Sequence, residues 1–208
     1  MTIEQAIANT GGLSKPSKMP CHGFSIPANR CKTGSKLRKL KNTTCSKCYA
    51  LKGFYNYPNA KSALELRFEL INHPDWVESM AFLINNFEYS GYFRWFDSGD
   101  LQSVAMLRNI CEVCRLTPHI RHWLPTREYT IVKQYLKKFK LPSNLIIRLS
   151  AYIIDGQPPT LLAGQLKVNT SSVVTFDESC PSKKQNNKCL LCRKCWDFNV
   201  NDVSYKLH

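Results

Sequence analysis

Residues 92–124 read YFRWFDSGDLQSVAMLRNICEVCRLTPHIRHWL and combine a strand, a helix and a second strand. Tyr92–Phe96 is a short aromatic run typical of a strand, and Leu101–Arg115 has apolar residues at helical spacing. His119–Leu124 is again strand-like. Strands and helices that alternate through short joints are typical of parallel βαβ units. This stretch therefore predicts an α/β fold with a parallel sheet.

The same alternation continues toward the C-terminus. A helix is predicted at Glu128–Lys140, and strands at Asn144–Leu149 and Ser172–Phe176 follow, separated by a loop that contains Pro and Gly. Four strands are too few for an eight-stranded barrel. We therefore expect a partial or small TIM-like barrel of parallel βα units, or an open α/β sheet.

Toward the N-terminus the pattern becomes helical and then loop-rich. Residues 59–73 and 76–87 have apolar side chains at helical spacing, whereas residues 1–58 are punctuated by Gly and Pro. We predict a single domain of residues 1–208. Its parts are a cysteine-rich loop region at 1–58, a βα core at 59–178 and a C-terminal cysteine-cluster segment at 179–208, so that both ends are cysteine-rich extensions.

The composition is that of a globular chain without a membrane segment. Its 208 residues are 43% hydrophobic and 11% aromatic, which is enough for a packed core. Charged residues interrupt the long apolar runs, and residues 1–18 are polar, unlike a signal peptide. We expect a cytoplasmic protein with no membrane partner, in a compartment that keeps thiols reduced.

Eight of the ten cysteines fall into two groups near the chain ends. Grouped cysteines in a reducing compartment are typical of metal ligands rather than of disulfides. A C-x2-C pair brings two sulfurs to one metal across a tight turn, and both groups contain this spacing. The predicted ligands are Cys21, Cys31, Cys45 and Cys48 in the first group and Cys180, Cys189, Cys192 and Cys195 in the second.

The second group has the spacing of an iron–sulfur site. Cys189, Cys192 and Cys195 follow one another at intervals of three, and Cys180 precedes a proline. In ferredoxins such a run wraps a cubane, and a remote Cys-Pro supplies another ligand. Zinc prefers two separated pairs. We predict one or two iron–sulfur clusters of the [4Fe-4S] type, with zinc as the alternative, which the first group fits equally well. A single cluster shared by both ends is a further alternative.

The remaining two cysteines have the pattern of core residues. Cys111 and Cys114 lie on one predicted helix, whose inner face also carries Val104 and Leu107. Cysteine is among the most frequently buried residue types. We expect both side chains to pack in the core and not to bind metal.

Polar side chains follow three successive predicted strands. Asp97 and Asp100 come after the first strand, Arg127 after the next, and Arg148 near the end of the third. Function in parallel α/β folds gathers at this edge of the sheet. We predict a catalytic set in which the arginines hold an anionic substrate and an aspartate acts as base. Helix capping by Asp100 and structural ion pairs of the arginines are the alternatives.

The chain is strongly basic, with 29 Lys and Arg against 15 Asp and Glu, a net charge of +14. Such a surface attracts polyanions, of which nucleic acid is the usual one. The basic loops therefore predict a nucleic-acid or phosphate contact, or a solvated surface that offsets anionic thiolate–metal clusters. The densest groups are Lys32, Lys36, Arg38, Lys39 and Lys41, and Lys183, Lys184 and Lys188.

Motifs along nearly the whole chain resemble the phage gene product 88 family. They are Lys18-Met-Pro-Cys21, Cys31, Cys45-x-x-Cys48-Tyr-Ala, Phe93-Arg-Trp-Phe-Asp-Ser-Gly-Asp100, Trp123-Leu-Pro-Thr-Arg-Glu128, Asn144-Leu-Ile-Ile-Arg-Leu-Ser150 and Cys189-x-x-Cys192-Arg-Lys-Cys195-Trp196. The resemblance implies a bacteriophage origin and a setting in the cytoplasm of the host bacterium. It implies no established reaction.

Three functions fit these patterns. The first is an iron–sulfur protein with a redox or electron-transfer role and a redox partner protein, possessing enzyme activity if the strand-end residues are catalytic. The second is a zinc-stabilised protein that binds nucleic acid. The third is an enzyme similar to radical S-adenosylmethionine enzymes, whose C-x3-C-x2-C spacing leaves one iron open for the cofactor. This chain lacks that spacing.

Overall fold

The computed structural model describes residues 1–207, which contain one sheet of six parallel strands in sequential order. The strands are β1 (Gly23–Phe24), β2 (Tyr92–Trp95), β3 (Arg121–Thr126), β4 (Leu145–Ser150), β5 (Asn169–Val174) and β6 (Asp202–Lys206). The predicted α/β fold with parallel strands is confirmed. Within the described residues β1 and β6 do not pair, so the sheet is open and does not close into a barrel.

Seven α-helices accompany the strands, and the four predicted ones are among them. The helices are α1 (Ile3–Thr10), α2 (Lys32–Leu37), α3 (Pro58–Leu70), α4 (Trp76–Phe87), α5 (Val104–Leu116), α6 (Tyr129–Leu136) and α7 (Thr160–Leu166). None of these α-helices could span a membrane, given their length and polarity in residues 1–207.

Most of residues 1–58 lies outside regular elements, but the region also contains α1, α2 and β1, which the sequence patterns do not indicate. Helix α1 has a recognisable start, since Thr2 and Gln5 form a capping box, with the Thr2 hydroxyl accepting from the Gln5 amide. Gly11 ends the helix with φ of 76°. Helix α7 lies in the predicted loop between β4 and β5, and β1 and β6 have no counterpart among the predicted strands.

Helices cover one face of the sheet. Phe93 and Trp95 of β2 and Leu124 of β3 point into this layer and pack with side chains of α4, α5, α6 and α7. Cys111 and Cys114 are fully buried in the same layer, which confirms that they are core residues. Alternate residues of the strands therefore belong to this core.

The opposite face of the sheet is covered by the cysteine segments. Trp123 of β3 and Ile146 of β4 pack against Cys195 and Trp196 from the segment between β5 and β6. The Trp196 indole donates to the Phe93 carbonyl at 2.9 Å. The C-terminal segment is thus an integral layer that leads into β6, and not an appendage to the core.

His122 of β3 is a titratable residue buried in the helical layer. Its ring is buried, stacks on Trp95 with centroids 6.0 Å apart, and bonds the Thr117 hydroxyl through Nε2 at 2.9 Å. Thr117 donates to the Val113 carbonyl, so the ring is the donor in this pair. Burial, with a smaller contribution from His119, lowers the pKa of His122 to about 3.

Acid is expected to destabilise the fold through His122. The unfolded chain binds a proton near pH 6.5 and the folded chain does not, so stability falls as the pH drops below 6.5. Between pH 7 and pH 5 this contributes about 2 kcal/mol. Urea unfolding of the wild type and His122→Phe at both pH values should show that extra loss in the wild type alone. Equal losses in the two proteins would contradict the buried neutral imidazole.

Candidate functional site

A cavity of about 420 Å³ lies at the carboxyl ends of the strands, between the two cysteine groups. The chain reaches it from the loop after β1, the ends of β2 to β5, and β6. Both predicted groups therefore meet at one site, although their sequence positions are far apart. The cysteines that line it are Cys31, Cys45 and Cys48 on one side and Cys180, Cys189 and Cys195 on the other.

Gly34 makes room for the first group. Cys31 immediately precedes α2, and a Cβ placed on Gly34 would lie 2.9 Å from the Cys31 Cβ. The same point is 3.5 Å from the Cys45 Sγ and 3.7 Å from the Cys31 Sγ. The absence of a side chain at Gly34 therefore leaves a space that the Cys31 and Cys45 thiols share.

Hydrogen bonds fix both ends of the loop that carries these cysteines. The carboxylate of Glu128 accepts from the Thr33 amide at 2.7 Å and from the Thr33 hydroxyl at 2.8 Å. Further along, the Thr44 amide donates to the Tyr152 carbonyl at 2.9 Å. Because β3 and β4 lead into Glu128 and Tyr152, the sheet positions the thiols.

Cys21 belongs with the C-terminal cysteines. Its side chain is buried in the same cluster as Cys180 and Cys195. The Cys189 amide donates to the Lys18 carbonyl at 3.0 Å, which ties the two chain segments together. The first group therefore consists of three cysteines after β1, and the second of four with Cys21 beside them.

The thiols are buried or partly buried, and nearby arginines favour their charged form. Burial raises the pKa values of Cys21 and Cys31, and it raises that of Cys195 to about 12 although the Tyr205 hydroxyl acts in the opposite direction. Arg127 favours the thiolate of Cys45, against the effect of burial. Free thiolates are thus unfavourable here, whereas a coordinated metal removes the proton by supplying positive charge.

Arg94 lies between the two groups and is not among the residues predicted from the sequence. Its guanidinium sits 4.6 Å from the Trp123 ring centroid and interacts with the Tyr49 hydroxyl. Burial opposes its charge, but Tyr49 and Asp97 raise the pKa of Arg94 above the usual value. The alternation of side chains in Tyr92–Trp95 could have identified it, because Arg94 is the one charged residue of this aromatic strand and faces the cavity.

Asp97 is oriented by hydroxyl groups at the edge of the cavity. Its carboxylate accepts hydrogen bonds from Ser25 and, at 2.7 Å, from Tyr55, and its backbone carbonyl accepts from Tyr49 at 2.6 Å. Phe96, just before it, has φ of 55°, a conformation that turns the chain sharply after β2. Asp97 therefore points into the site and does not cap a helix.

Asp100 is the most enclosed carboxylate of the cavity. It accepts from the Thr126 hydroxyl at 2.5 Å, the Leu101 amide at 2.8 Å and the Arg127 amide at 2.9 Å. Burial raises the pKa of Asp100 to about 6, although these hydrogen bonds act in the opposite direction. Ser103, and not Asp100, caps α5. Asp97, Asp100 and Arg127 of the predicted catalytic set all line the cavity.

Arg148, the fourth member of that set, does not line the cavity. Its buried guanidinium donates to backbone carbonyls at 2.8–3.1 Å. No carboxylate within residues 1–207 forms an ion pair with it. The side chain thus fastens the C-terminal segment to the sheet. These carbonyls belong to Thr170, Lys194, Cys195, Asp197 and Val200, and a longer hydrogen bond of 3.4 Å reaches the Asn201 carbonyl.

The donor set suits a thiolate-ligated metal group. Within residues 1–207 no three His, Cys, Asp or Glu side chains converge on a point that would bind a single ion. An iron–sulfur cluster places its own iron and sulfide between the thiolates, so its ligands surround a larger volume than those of zinc. The shared space beside Gly34 and the positive charge of Arg127 are compatible with such a cluster at the first group.

Comparison with known proteins gave one match. The family model described as Gene product 88 matches residues 2–198, which confirms the resemblance seen in the sequence motifs. Searches of curated proteins and of solved structures found no significant match.

Replacing Arg148 should loosen the C-terminal segment. Arg148→Leu leaves six backbone carbonyls without their charged donor, and we expect it to lower the free energy of unfolding by about 3–5 kcal/mol. Arg121→Leu is the matched control, because Arg121 is exposed on β3 and should change stability by about 0.5 kcal/mol or less. Urea unfolding measures both. A loss below about 1 kcal/mol in Arg148→Leu would rule out the anchoring role.

Proposed function

The chain belongs to the gene product 88 family, and we propose that it is an iron–sulfur redox enzyme with one open cluster. In this proposal Cys31, Cys45 and Cys48 hold a [4Fe-4S] cluster by three of its four irons. The observation that carries the proposal is the division of the ligands, with three thiols together at the cavity and Cys21 on the other side.

The number of cysteine ligands decides which roles a cluster can have. Four cysteines complete the ligation of a cubane, which suits electron transfer or a structural role. Three would leave one iron without a protein ligand, and a bound cluster of this kind would supply redox chemistry to a small molecule beside it. The cavity of about 420 Å³ beside the three thiols provides the room for that molecule.

The position of the first group is similar to that in radical S-adenosylmethionine enzymes. In both cases the cysteines follow the first strand of a parallel α/β sheet. The spacing here is C-x13-C-x2-C, because α2 lies between Cys31 and Cys45. S-adenosylmethionine is therefore the small molecule to test first, and the long insertion is the main departure from that group of enzymes.

The second group is suited to storing or relaying electrons. Cys180, Cys189, Cys192 and Cys195 supply four thiols, and Cys21 lies beside them. The Tyr205 hydroxyl is 3.3 Å from the Cys195 Sγ. Hydrogen bonds to cluster sulfurs tune the reduction potential. A closed cluster at this position would pass electrons from a redox partner protein to the open one.

The polar residues of the cavity supply charge and a proton site. The Arg127 guanidinium offsets the negative charge of the first-group thiolates. Asp100, with a pKa of about 6, can hold or release a proton close to neutral pH. Hydrogen bonds from Tyr55 and Ser25 orient the Asp97 carboxylate at the cavity, where it can accept a hydrogen bond from a bound molecule.

The experiment is anaerobic purification followed by iron, zinc and sulfide analysis and EPR of the dithionite-reduced protein. We expect a brown protein with two clusters, whose EPR signal changes when S-adenosylmethionine is added. Cys31→Ser should lose the iron of one cluster and the response to S-adenosylmethionine. Cys189→Ser should lose the iron of the other cluster and keep the response. Cys111→Ser, in the helical core, is the control with unchanged metal content.

Other outcomes would overturn the proposal. A colourless protein that contains zinc would favour the zinc-stabilised nucleic-acid-binding alternative. Loss of all iron in either the Cys31 or the Cys189 variant would show that the two groups share one cluster. If two clusters are present and neither responds to an added small molecule, there is no open iron and the function is electron transfer.

A further inference from the structure

A second cleft of about 340 Å³ opens beside the cavity. Its lining combines two lysines with three aromatic side chains and contains no carboxylate. Three of these residues, Lys47, Tyr49 and Tyr55, also line the cavity, so the cleft leads into it. The lining residues are Lys47, Tyr49, Lys52, Gly53, Phe54 and Tyr55.

The cleft lies in the most basic part of the chain. Residues 5–64 contain eleven Lys and Arg and no Asp or Glu, so most of the net charge of +14 is concentrated there. Within residues 1–207 neither Lys47 nor Lys52 forms an ion pair, and both are exposed. An exposed positive surface without internal partners attracts a polyanion.

Aromatic rings project from the same segment into solvent. Phe54 is 78% exposed and Tyr57 is 59% exposed, and their ring centroids are 5.3 Å apart in an edge-to-face arrangement. Neither ring contributes to the hydrophobic core. Exposed aromatic faces among lysines are the arrangement by which proteins stack the bases of single strands, since paired bases hide their faces.

We propose that this cleft binds single-stranded nucleic acid, with phosphates on Lys47 and Lys52 and bases against Phe54 and Tyr57. Because the cleft opens into the cavity, a strand held there places a neighbouring nucleotide at the first cysteine group. Nucleic acid is then the substrate class of the enzyme. This last step rests on the proposed function, whereas the binding itself does not.

Fluorescence anisotropy with a labelled oligothymidylate, measured over a series of salt concentrations, tests the binding. Phe54→Ala/Tyr57→Ala should weaken it about tenfold or more, because base stacking is lost, with the salt dependence unchanged. Lys47→Ala/Lys52→Ala should weaken it at low salt and reduce the slope of log K against log salt by about 1.4.

Matched controls lie in segments that lead into the amino ends of strands, away from the cleft. Tyr89, which is 87% exposed, comes before β2, and Lys137 and Lys138 follow α6. Tyr89→Ala and Lys137→Ala/Lys138→Ala remove the same kinds of side chain away from the cleft. Neither variant should change the affinity by more than about twofold, and the Lys pair sets the size of the general charge effect.

Several results would overturn the inference. They are absence of binding at low salt, duplex DNA binding as tightly as the single strand, and aromatic variants that bind like the Tyr89 control. Displacement by free mononucleotides at similar concentrations would show a nucleotide site instead of a strand site. Iron content is measured on the same preparation. If the protein contains iron but does not bind the oligonucleotide, this inference alone is overturned. If it binds the oligonucleotide but contains no iron, the proposed function alone is overturned.

Discussion

A parallel sheet has to be covered on both faces, and the structure of this protein follows from how it meets that requirement. Helices α4 to α7 cover one face with an ordinary apolar core. The other face is covered by chain that is rich in cysteine and has little regular structure, which is a poor apolar layer. It is held instead by polar contacts to its backbone, above all those of Arg148, whose buried charge is satisfied by carbonyl oxygens.

The same covering brings the cysteines together. The C-terminal segment crosses the sheet to reach β6, and the N-terminal loop returns after β1, so both pass the carboxyl ends of the central strands. Thiols that are more than a hundred residues apart in the sequence therefore line one cavity. Two arginines lie beside these thiols. The charge of Arg94 favours the thiolate form of Cys21, and that of Arg127 favours the thiolate form of Cys45.

The sequence patterns were most informative where periodicity is strong. The strand–helix alternation from Tyr92 to Leu149 was predicted correctly, because buried parallel strands and amphipathic helices leave clear apolar patterns. Strand β1 has only two residues and β6 is mixed in character, so neither has a readable pattern. The polar residues Asp97, Asp100 and Arg127 could be placed at the cavity because strand ends meet at one edge. Arg148 lies within β4, and its side chain contacts the C-terminal segment. Its role therefore could not be predicted without knowing which segment covers that face of the sheet.

The sequence by itself determined the fold class, the family and the set of cysteines outside the helical layer, because local spacing and motif order specify them. Only the tertiary structure decided how those cysteines divide and that an open sheet brings both groups to one cavity. The physical reason is that contacts between segments far apart in the chain determine which cysteines lie next to each other. Cys21 is ten residues from Cys31 in the chain, yet it packs with Cys180 and Cys195, since the hydrogen bond between the Lys18 carbonyl and Cys189 joins the two ends.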